Sequence, residues 1–376
     1  MTHILSPENT ASAISNAAQA PKQQFDMTIL IGRFQPFHAG HLALLQLALQ
    51  HAPQVLVVLG SSFAARSTKN PFTWQERAAM IRASVGPAER ARIHFLAIRD
   101  YYHEQRWSQA LQQSVQAHFP QIQNIALVGH FKDNSSRYLS QFPHWTLIAA
   151  PRQAAIDATS IRQIYFEAED IDVSLAVMEN LVPLAVRQYL RAWSRLPFYP
   201  PLVAEHNMVQ KYKAAWSQAP YAPIFSTVDA IVKTAEHVLL IQRAGFPGKG
   251  LWALPGGFVE PHERLLPAAM RELLEETRLG ILQASLLDAF VSAQVFDHPD
   301  RSTRGRTITH AHLFDLKTAQ LPEIEGSDDA SAARWVPLAD LVGMEQEFYE
   351  DHFHILDHFF AFSQENAVEL LLALNE

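Results

Sequence analysis

The sequence of 376 residues predicts an α/β protein in two parts, a parallel sheet with crossover helices followed by an α+β domain. Three observations carry this reading. The length exceeds what one hydrophobic core usually serves. Strand-like apolar runs alternate with helix-period stretches through the first half. A proline-rich break, Leu196-Pro197-Phe198-Tyr199-Pro200-Pro201, then separates that regular half from a second set of strands around one strong helix.

Residues 1–25 are polar and rich in Ala, Gln and Ser, which predicts a flexible tail. The first domain is expected over 26–195. Thr28–Gly32, Val55–Gly60, Ile93–Ile98, Ile125–Gly129 and Trp145–Ala149 have the short apolar character of buried parallel strands. Between them Leu42–His51, Trp74–Ser84 and Trp107–His118 have helical character, and Ile161–Ala168 and Pro183–Ser194 would close the domain. A linker over 196–220 carries an amphipathic connecting helix, Ala204–Gln218. The second domain is expected over 221–376. Its strands are Phe225–Lys233, Val238–Arg243, Leu286–Phe296, Ile308–Leu316 and Ala333–Val336, its main helix is Leu266–Arg278, and Glu347–Leu374 reads as helical with one apolar face.

Composition removes several classes of function. A net charge of -8 opposes sequence-independent binding to nucleic acid, which rests on cations neutralising phosphates. The absence of cysteine excludes disulfides, thiolate metal sites and a cysteine nucleophile, so carboxylates, histidines and backbone groups must carry any chemistry. No apolar run is long enough to span a bilayer, and the N-terminus lacks a signal-peptide core, so a cytoplasmic protein without a membrane partner is expected. A homo-oligomer is compatible with all of this.

The first chemical motif follows the first strand: Gly32-Arg33-Phe34-Gln35-Pro36-Phe37-His38-Ala39-Gly40-His41, running into a helix. A helix start there presents backbone N–H groups and the positive dipole end to a phosphate. Two histidines add donors, and Gly40 permits close approach of the backbone. The loop is neither the dinucleotide fingerprint nor a Walker loop. Together with Asn70-Pro71-Phe72-Thr73-Trp74-Gln75-Glu76-Arg77 and Thr159-Ser160-Ile161-Arg162, it resembles the HxGH nucleotidyltransferase superfamily, and within it the archaeal type of nicotinamide-mononucleotide adenylyltransferase, over roughly Thr28 to Ile164.

That resemblance implies a Rossmann-like nucleotidyltransferase domain in which the 5′-phosphate of the mononucleotide attacks the α-phosphorus of ATP with no covalent intermediate, so that the protein supplies position and charge stabilisation. It implies catalytic roles for His38, His41 and Arg162 and assigns Gly32, Arg33, Phe34, Gly40, Gly129, His130, Lys132, Thr159, Ser160 and Ile161 to ATP as well. Arg66 is a further candidate cation. Phe72, Thr73, Arg77 and Trp107 are assigned to the mononucleotide, Trp107 by stacking on the cationic nicotinamide ring. Mg²⁺ is expected to bridge the phosphates.

The second motif is Gly256-Gly257-Phe258-Val259-Glu260-Pro261-His262-Glu263 followed by Arg271-Glu272-Leu273-Leu274-Glu275-Glu276. Residues three and four apart share a helix face, so Glu272, Glu275 and Glu276 cluster while Leu266, Met270, Leu273 and Leu274 turn to the sheet. Like charges so close repel unless cations hold them, and Mg²⁺ or Mn²⁺ are the expected occupants. The spacing resembles the Nudix signature, with Gly257, Glu263, Arg271, Glu272, Leu273, Glu275, Glu276 and Leu279 in register and Arg278 standing where the pattern has glycine. The departure predicts an altered helix end with metal binding retained.

By this resemblance the C-terminal part is an α+β Nudix domain in which Glu275 and Glu276 are catalytic and an activated water cleaves a nucleoside diphosphate derivative. Arg243, Arg301, Arg304 and Arg306 are candidate partners of the diphosphate, and Glu325, Asp328 or Asp329 a candidate general base. The two resemblances together imply a bifunctional enzyme of NAD metabolism whose partners are small nucleotides: ATP, nicotinamide mononucleotide, NAD and ADP-ribose. The alternatives are an HxGH transferase for a flavin mononucleotide, a pantetheine phosphate or a polyol phosphate, and a Nudix half that senses its ligand without cleaving it.

Overall fold

The computed structural model describes residues 24–130, 141–150, 157–363 and 370–372. The first domain runs β1 (Met27–Gly32), α1 (Ala39–His51), β2 (Gln54–Leu59), α2 (Trp74–Ala83), α3 (Pro87–Arg90), β3 (Ile93–Ala97), α4 (Glu104–His118), β4 (Ile125–Gly129), β5 (Thr146–Ala149), α5 (Ala158–Phe166), α6 (Ile171–Val177), α7 (Leu184–Trp193) and α8 (Tyr199–Ala215). Strands β1 to β5 are parallel in the order β3-β2-β1-β4-β5, as the alternation predicts. Period-2 alternation explains how one sheet serves two cores. Leu30, Val55, Val57 and Phe95 face one side, with α1, α2 and α7, while Ile29, Leu56, Val58 and Leu96 face the other, with α4.

The second domain runs β6 (Ile224–Thr234), β7 (His237–Arg243), β8 (Trp252–Ala253), β9 (Gly256–Phe258), α9 (Leu265–Thr277), α10 (Gln283–Ala289), β10 (Phe290–Phe296), β11 (Arg306–Asp315), β12 (Ala330–Pro337) and α11 (His352–Phe360). Its sheet is mixed, in the order β10-β11-β6-β7-β12, with β11 parallel to β6. Ala230, Val232 and Leu239 pack under Met270 and Leu273 of α9, whereas Ile231, Val238 and Leu240 pack on Phe353, Ile355 and Leu356 of α11. The carboxylate helix is thus fixed on one face of a sandwiched sheet.

Four sequence expectations need correction. The proline run does not break the chain before the connecting helix: prolines fall in the first turn of α8, where a missing N–H costs nothing. That helix begins at Tyr199 rather than Ala204, its Leu202 enters the first core, and the Tyr199 hydroxyl donates to the carbonyl of Tyr165 at 2.7 Å. The stretch Leu286–Phe296 divides into α10 and β10, because Ala- and Leu-rich residues precede the β-branched Val291. Helix α6, capped by Asp170, is an additional element between the two expected closing helices. Most consequentially, the C-terminal segment is not helical throughout Glu347–Leu374. Helix α11 stops where Ala361 turns left-handed (φ 53), and the short strand β13 (Leu370–Leu372) pairs antiparallel with β3 of the first sheet.

Candidate active sites

The first site forms where β1 ends and α1 begins. His38 occupies the N-cap of α1 in an extended conformation without capping the helix through its side chain. One turn makes His41 its neighbour on the same face, and the two imidazoles stack with centroids 3.6 Å apart. Phe34, left-handed at φ 51, lays its ring over Gly32, where a Cβ would lie 2.9 Å from it, and its edge meets His41 at 4.8 Å. Phe34 is thereby a buried wall of the site. A cavity of about 240 Å³ opens beside Gly40, Ala43, Leu47, His130 and Ala150. His130 sits at the C-terminal end of β4 with Nδ1 2.9 Å from the Ala150 carbonyl; a carbonyl only accepts, so Nδ1 carries the hydrogen and Nε2 is left to accept.

Positive charge converges on this mouth. Arg33 is exposed; burial, with the Arg33 charge adding to it, pushes the Arg162 guanidinium down to about 10 and lowers Lys69. Arg162 Nη1 donates to the carbonyl of Gln35 at 2.8 Å, which ties the start of α5 to the loop after β1. Cations held this close favour an anion between them. At α5 the N–H groups of Thr159 and Ser160 donate to the Asp157 carboxylate at 2.8 and 3.0 Å, bonds that hold Asp157 below its ordinary carboxylate range. Ile161 is buried in the core and can offer only its backbone. Gly129 ends β4, and Lys132 lies outside the described residues.

Three of the four residues assigned to the mononucleotide have structural work here. The Arg77 guanidinium is fully buried, with Nε bonded to the Thr73 carbonyl, Nη1 to those of Arg33 and Gly60, and Nη2 to the carbonyl of Ser61 and the hydroxyl of Ser62. All five donors are spent on the loops after β1 and β2, so Arg77 shapes the site from beneath. Thr73 caps α2 in a capping box with Glu76. Phe72 is buried edge-on against Trp193, and its backbone N–H and carbonyl are both held by the Gln35 amide. Trp107 is half-buried in the first turn of α4, 6.2 Å from the Phe142 ring. Arg66 is neutralised by a bidentate pair with Glu76 at 2.6 and 3.0 Å.

The second site lies between β9 and α9. Gly256 and Gly257 are required by contact rather than by φ: a Cβ on Gly256 would sit 2.2 Å from the Val228 carbonyl, and one on Gly257 2.5 Å from the Glu272 carboxylate. Arg271 gathers the acids. Nε and Nη2 take Glu263 at 3.0 and 2.9 Å, while Nη1 takes Glu272 and Glu275, each at 2.9 Å. This partner holds Glu263 below its usual range, whereas burial raises Glu272. Glu276 is nearly inaccessible, accepts from the Gly256 N–H at 2.8 Å, and is pushed up to about 8 by burial with Glu272 adding repulsion.

Among the described residues no three carboxylate or imidazole groups are arranged around one point as a metal would need. The chemistry of the donor set nevertheless fits a hard divalent ion: three hard oxygen donors share one helix face, and the buried Glu276 carboxylate is repelled by Glu272 beside it. Arg278 takes the left-handed conformation (φ 44, ψ 33) that the expected glycine would have supplied, and pairs with Glu325 at 2.9 Å. Glu325 is thereby engaged at the helix end, while the charges of Asp328 and Asp329 act on Glu272 and Glu276.

The four arginines divide. Arg301 is 5% exposed and held in a bidentate pair with Asp351 at 2.8 and 2.9 Å. Arg306 enters β11 and donates to the Asp297 carbonyl. Arg304 lies over the Phe258 ring at 4.9 Å, next to the glycine turn, and Arg243 over the Tyr349 ring at 4.3 Å with Nε donating to the Pro247 carbonyl. Sequence reasoning missed Glu205 of α8, whose carboxylate accepts from the Gly248 N–H at 2.9 Å, and the buried Asp229, which accepts from Thr309 at 2.6 Å. Neither belongs to a local motif, and only the tertiary fold brings Asp229 against Gly256 and the Glu205 charge near Arg243.

Residues 29–164 match the family described as cytidylyltransferase-like, and residues 224–359 match the NUDIX domain. A nicotinamide/nicotinic acid mononucleotide adenylyltransferase of Acinetobacter baylyi is 38% identical over 180 residues, 48% of this chain and 92% of that protein. An ADP-ribose pyrophosphatase of Methanocaldococcus jannaschii is 39% identical over 114 residues, 30% of this chain and 62% of that protein. A bifunctional NMN adenylyltransferase/ADP ribose pyrophosphatase of Francisella tularensis, solved in complex with AMP and Mn ion, superposes with a TM-score of 0.80 at 35% identity, over 92% of this chain and all (100%) of that one.

Proposed function

The chain belongs to the family of bifunctional NMN adenylyltransferase/ADP ribose pyrophosphatases, and from that premise we propose that it transfers AMP from ATP to nicotinamide mononucleotide and hydrolyses ADP-ribose to AMP and ribose 5-phosphate. The observation that carries the first activity is the stacked His38–His41 pair at the start of α1, with Arg33 and Arg162 beside it. The imidazoles and Arg162 hold the triphosphate and stabilise the charge that grows on departing pyrophosphate, while adenosine occupies the cavity between Gly40 and His130. The mononucleotide lies on the side of β3 and α4, with its base toward Trp107, so that its 5′-phosphate is aligned with the α-phosphorus.

In the second site Glu272, Glu275 and Glu276 would hold the divalent ion, which when bound supplies Lewis acidity toward water and diphosphate. Arg271 orients the glutamates, Arg243 and Arg304 meet the diphosphate, and Asp328 or Asp329 accepts the proton lost by water. The enzyme is proposed to act on small nucleotides in the cytoplasm; no helix among the described residues is long and apolar enough to cross a membrane.

Paired assays on one preparation test this reading. His41→Ala is expected to lower dinucleotide synthesis by about two orders of magnitude or more and leave ADP-ribose hydrolysis intact, and Glu276→Gln to do the reverse. Loss of both activities from either change would replace two sites with one composite site, and ADP-ribose binding without AMP release would make the second domain a sensor.

A further inference from the structure

The loop between β3 and α4 lies at the ligand-binding end of the first sheet, yet the second domain grips both of its ends. Arg99 forms an ion pair with the Glu345 carboxylate at 2.9 Å, with the two side chains 5% and 7% exposed. In the first turn of α4, Arg106 Nη1 bonds Asp357 Oδ2 at 3.0 Å and Nη2 donates to the Ser363 hydroxyl at 2.8 Å. Between these anchors the Tyr102 ring meets those of His298 and His354 at 5.0 and 4.8 Å. On its inner side the loop is tied to the first domain, where Ser61 donates to Asp100 at 2.5 Å. Strand β13 adds a third hold, since Leu370 pairs with Ala97 at the last position of β3.

We propose that Glu345 and Asp357 are positioning residues for the first reaction: by fixing Arg99–Arg106 they set the mononucleotide end of that site, so that the second domain governs how well the first accepts nicotinamide mononucleotide. The inference rests on the mononucleotide lying at this loop, as proposed above. Trp107 immediately follows the Arg106 anchor, and a small displacement of a group that orients a substrate costs affinity steeply. The glutamates of the hydrolytic site lie under α9, on the face of the second sheet opposite α11. Helix α11 reaches the glycine turn through His352, which accepts from the Leu254 N–H, and loss of the Asp357 contact farther along the helix leaves that hold in place.

The test uses the full-length chain with Arg106→Ala, Arg106→Lys and Asp357→Asn. The expected result is a rise in KM for the mononucleotide of about tenfold in Arg106→Ala and Asp357→Asn, with KM for ATP and ADP-ribose hydrolysis changed by less than about twofold, and partial recovery in Arg106→Lys. An unchanged KM for the mononucleotide, or equal rises in both KM values, overturns the inference. Should Asp357→Asn fail to fold, Arg106→Ala decides alone, because Arg106 is 31% exposed and its removal leaves the loop solvated. A wild-type protein that makes no dinucleotide from this mononucleotide sinks the functional reading itself, and the inference with it.

Discussion

At the scale of single residues, the two adjacent glycines of the second site separate folding from chemistry. Alanine at 256 drives its Cβ into a backbone carbonyl that cannot retreat, whereas alanine at 257 meets only the end of the flexible Glu272 side chain. Gly256→Ala is therefore expected to lower the melting temperature sharply. Gly257→Ala should keep the fold and dinucleotide synthesis but cut hydrolysis by about a hundredfold through a displaced carboxylate. Glu276 gives a prediction in pH. Its carboxyl ionises near its ordinary 4.5 in the unfolded chain but near 8 in the fold, so the folded state binds more protons between these values and loses stability as pH rises through that window. Thermal melts in chelator should fall from pH 5 to pH 8 by an amount on the order of 3 kcal/mol, and Mg²⁺ should offset the fall at pH 8. Melts that are flat across this range, with or without Mg²⁺, would show that Glu276 is not the buried acid described.

At the scale of elements, helix α9 is terminated by a residue ill suited to the task. Arg278 adopts a left-handed conformation that costs a side-chain-bearing residue about 1 kcal/mol, and its exposed pair with Glu325 returns less than that. Arg278→Gly is expected to raise the unfolding free energy by about 0.5–1 kcal/mol, read from urea denaturation, with hydrolysis unchanged. Lower stability in the glycine variant would mean that the contacts of Arg278 with Ser327 and Glu325 hold the loop before β12. Helix α8 shows the same interplay of local rule and context. Its prolines are read locally as a stop, but prolines are equally suited to the first turn of a helix, and burial of Leu202 against the first core decides between the two.

At the scale of the whole molecule, the two domains are interleaved rather than strung together. The connecting helix packs on the first domain and sends Glu205 to the second, while strand β13 returns from beyond the second to pair with β3. Lys69 and Asp300 bridge the domains again, 3.3 Å apart beside Arg33. A chain ending at Ser363 lacks the antiparallel partner of Phe95–Ala97, and hydrogen exchange of those amides is expected to accelerate while that of Met27–Leu30, at the sheet centre, does not. Equal protection of β3 in both chains would show that this strand contributes nothing to the edge.

By itself the sequence determined what periodicity and spacing encode: five parallel strands with their helices, the imidazole pair at a helix start, and the glutamates on one helix face, since each depends on residues a few positions apart. Only the tertiary structure decided which charged groups remain available to a ligand. Arg77 and Arg301 look like substrate cations in the sequence, yet the fold spends one on five neighbouring acceptors and the other on Asp351. The partners in these contacts, like Glu345 for Arg99, come from elements distant in the chain. A local pattern shows that a charge is present, and only packing shows what neutralises it.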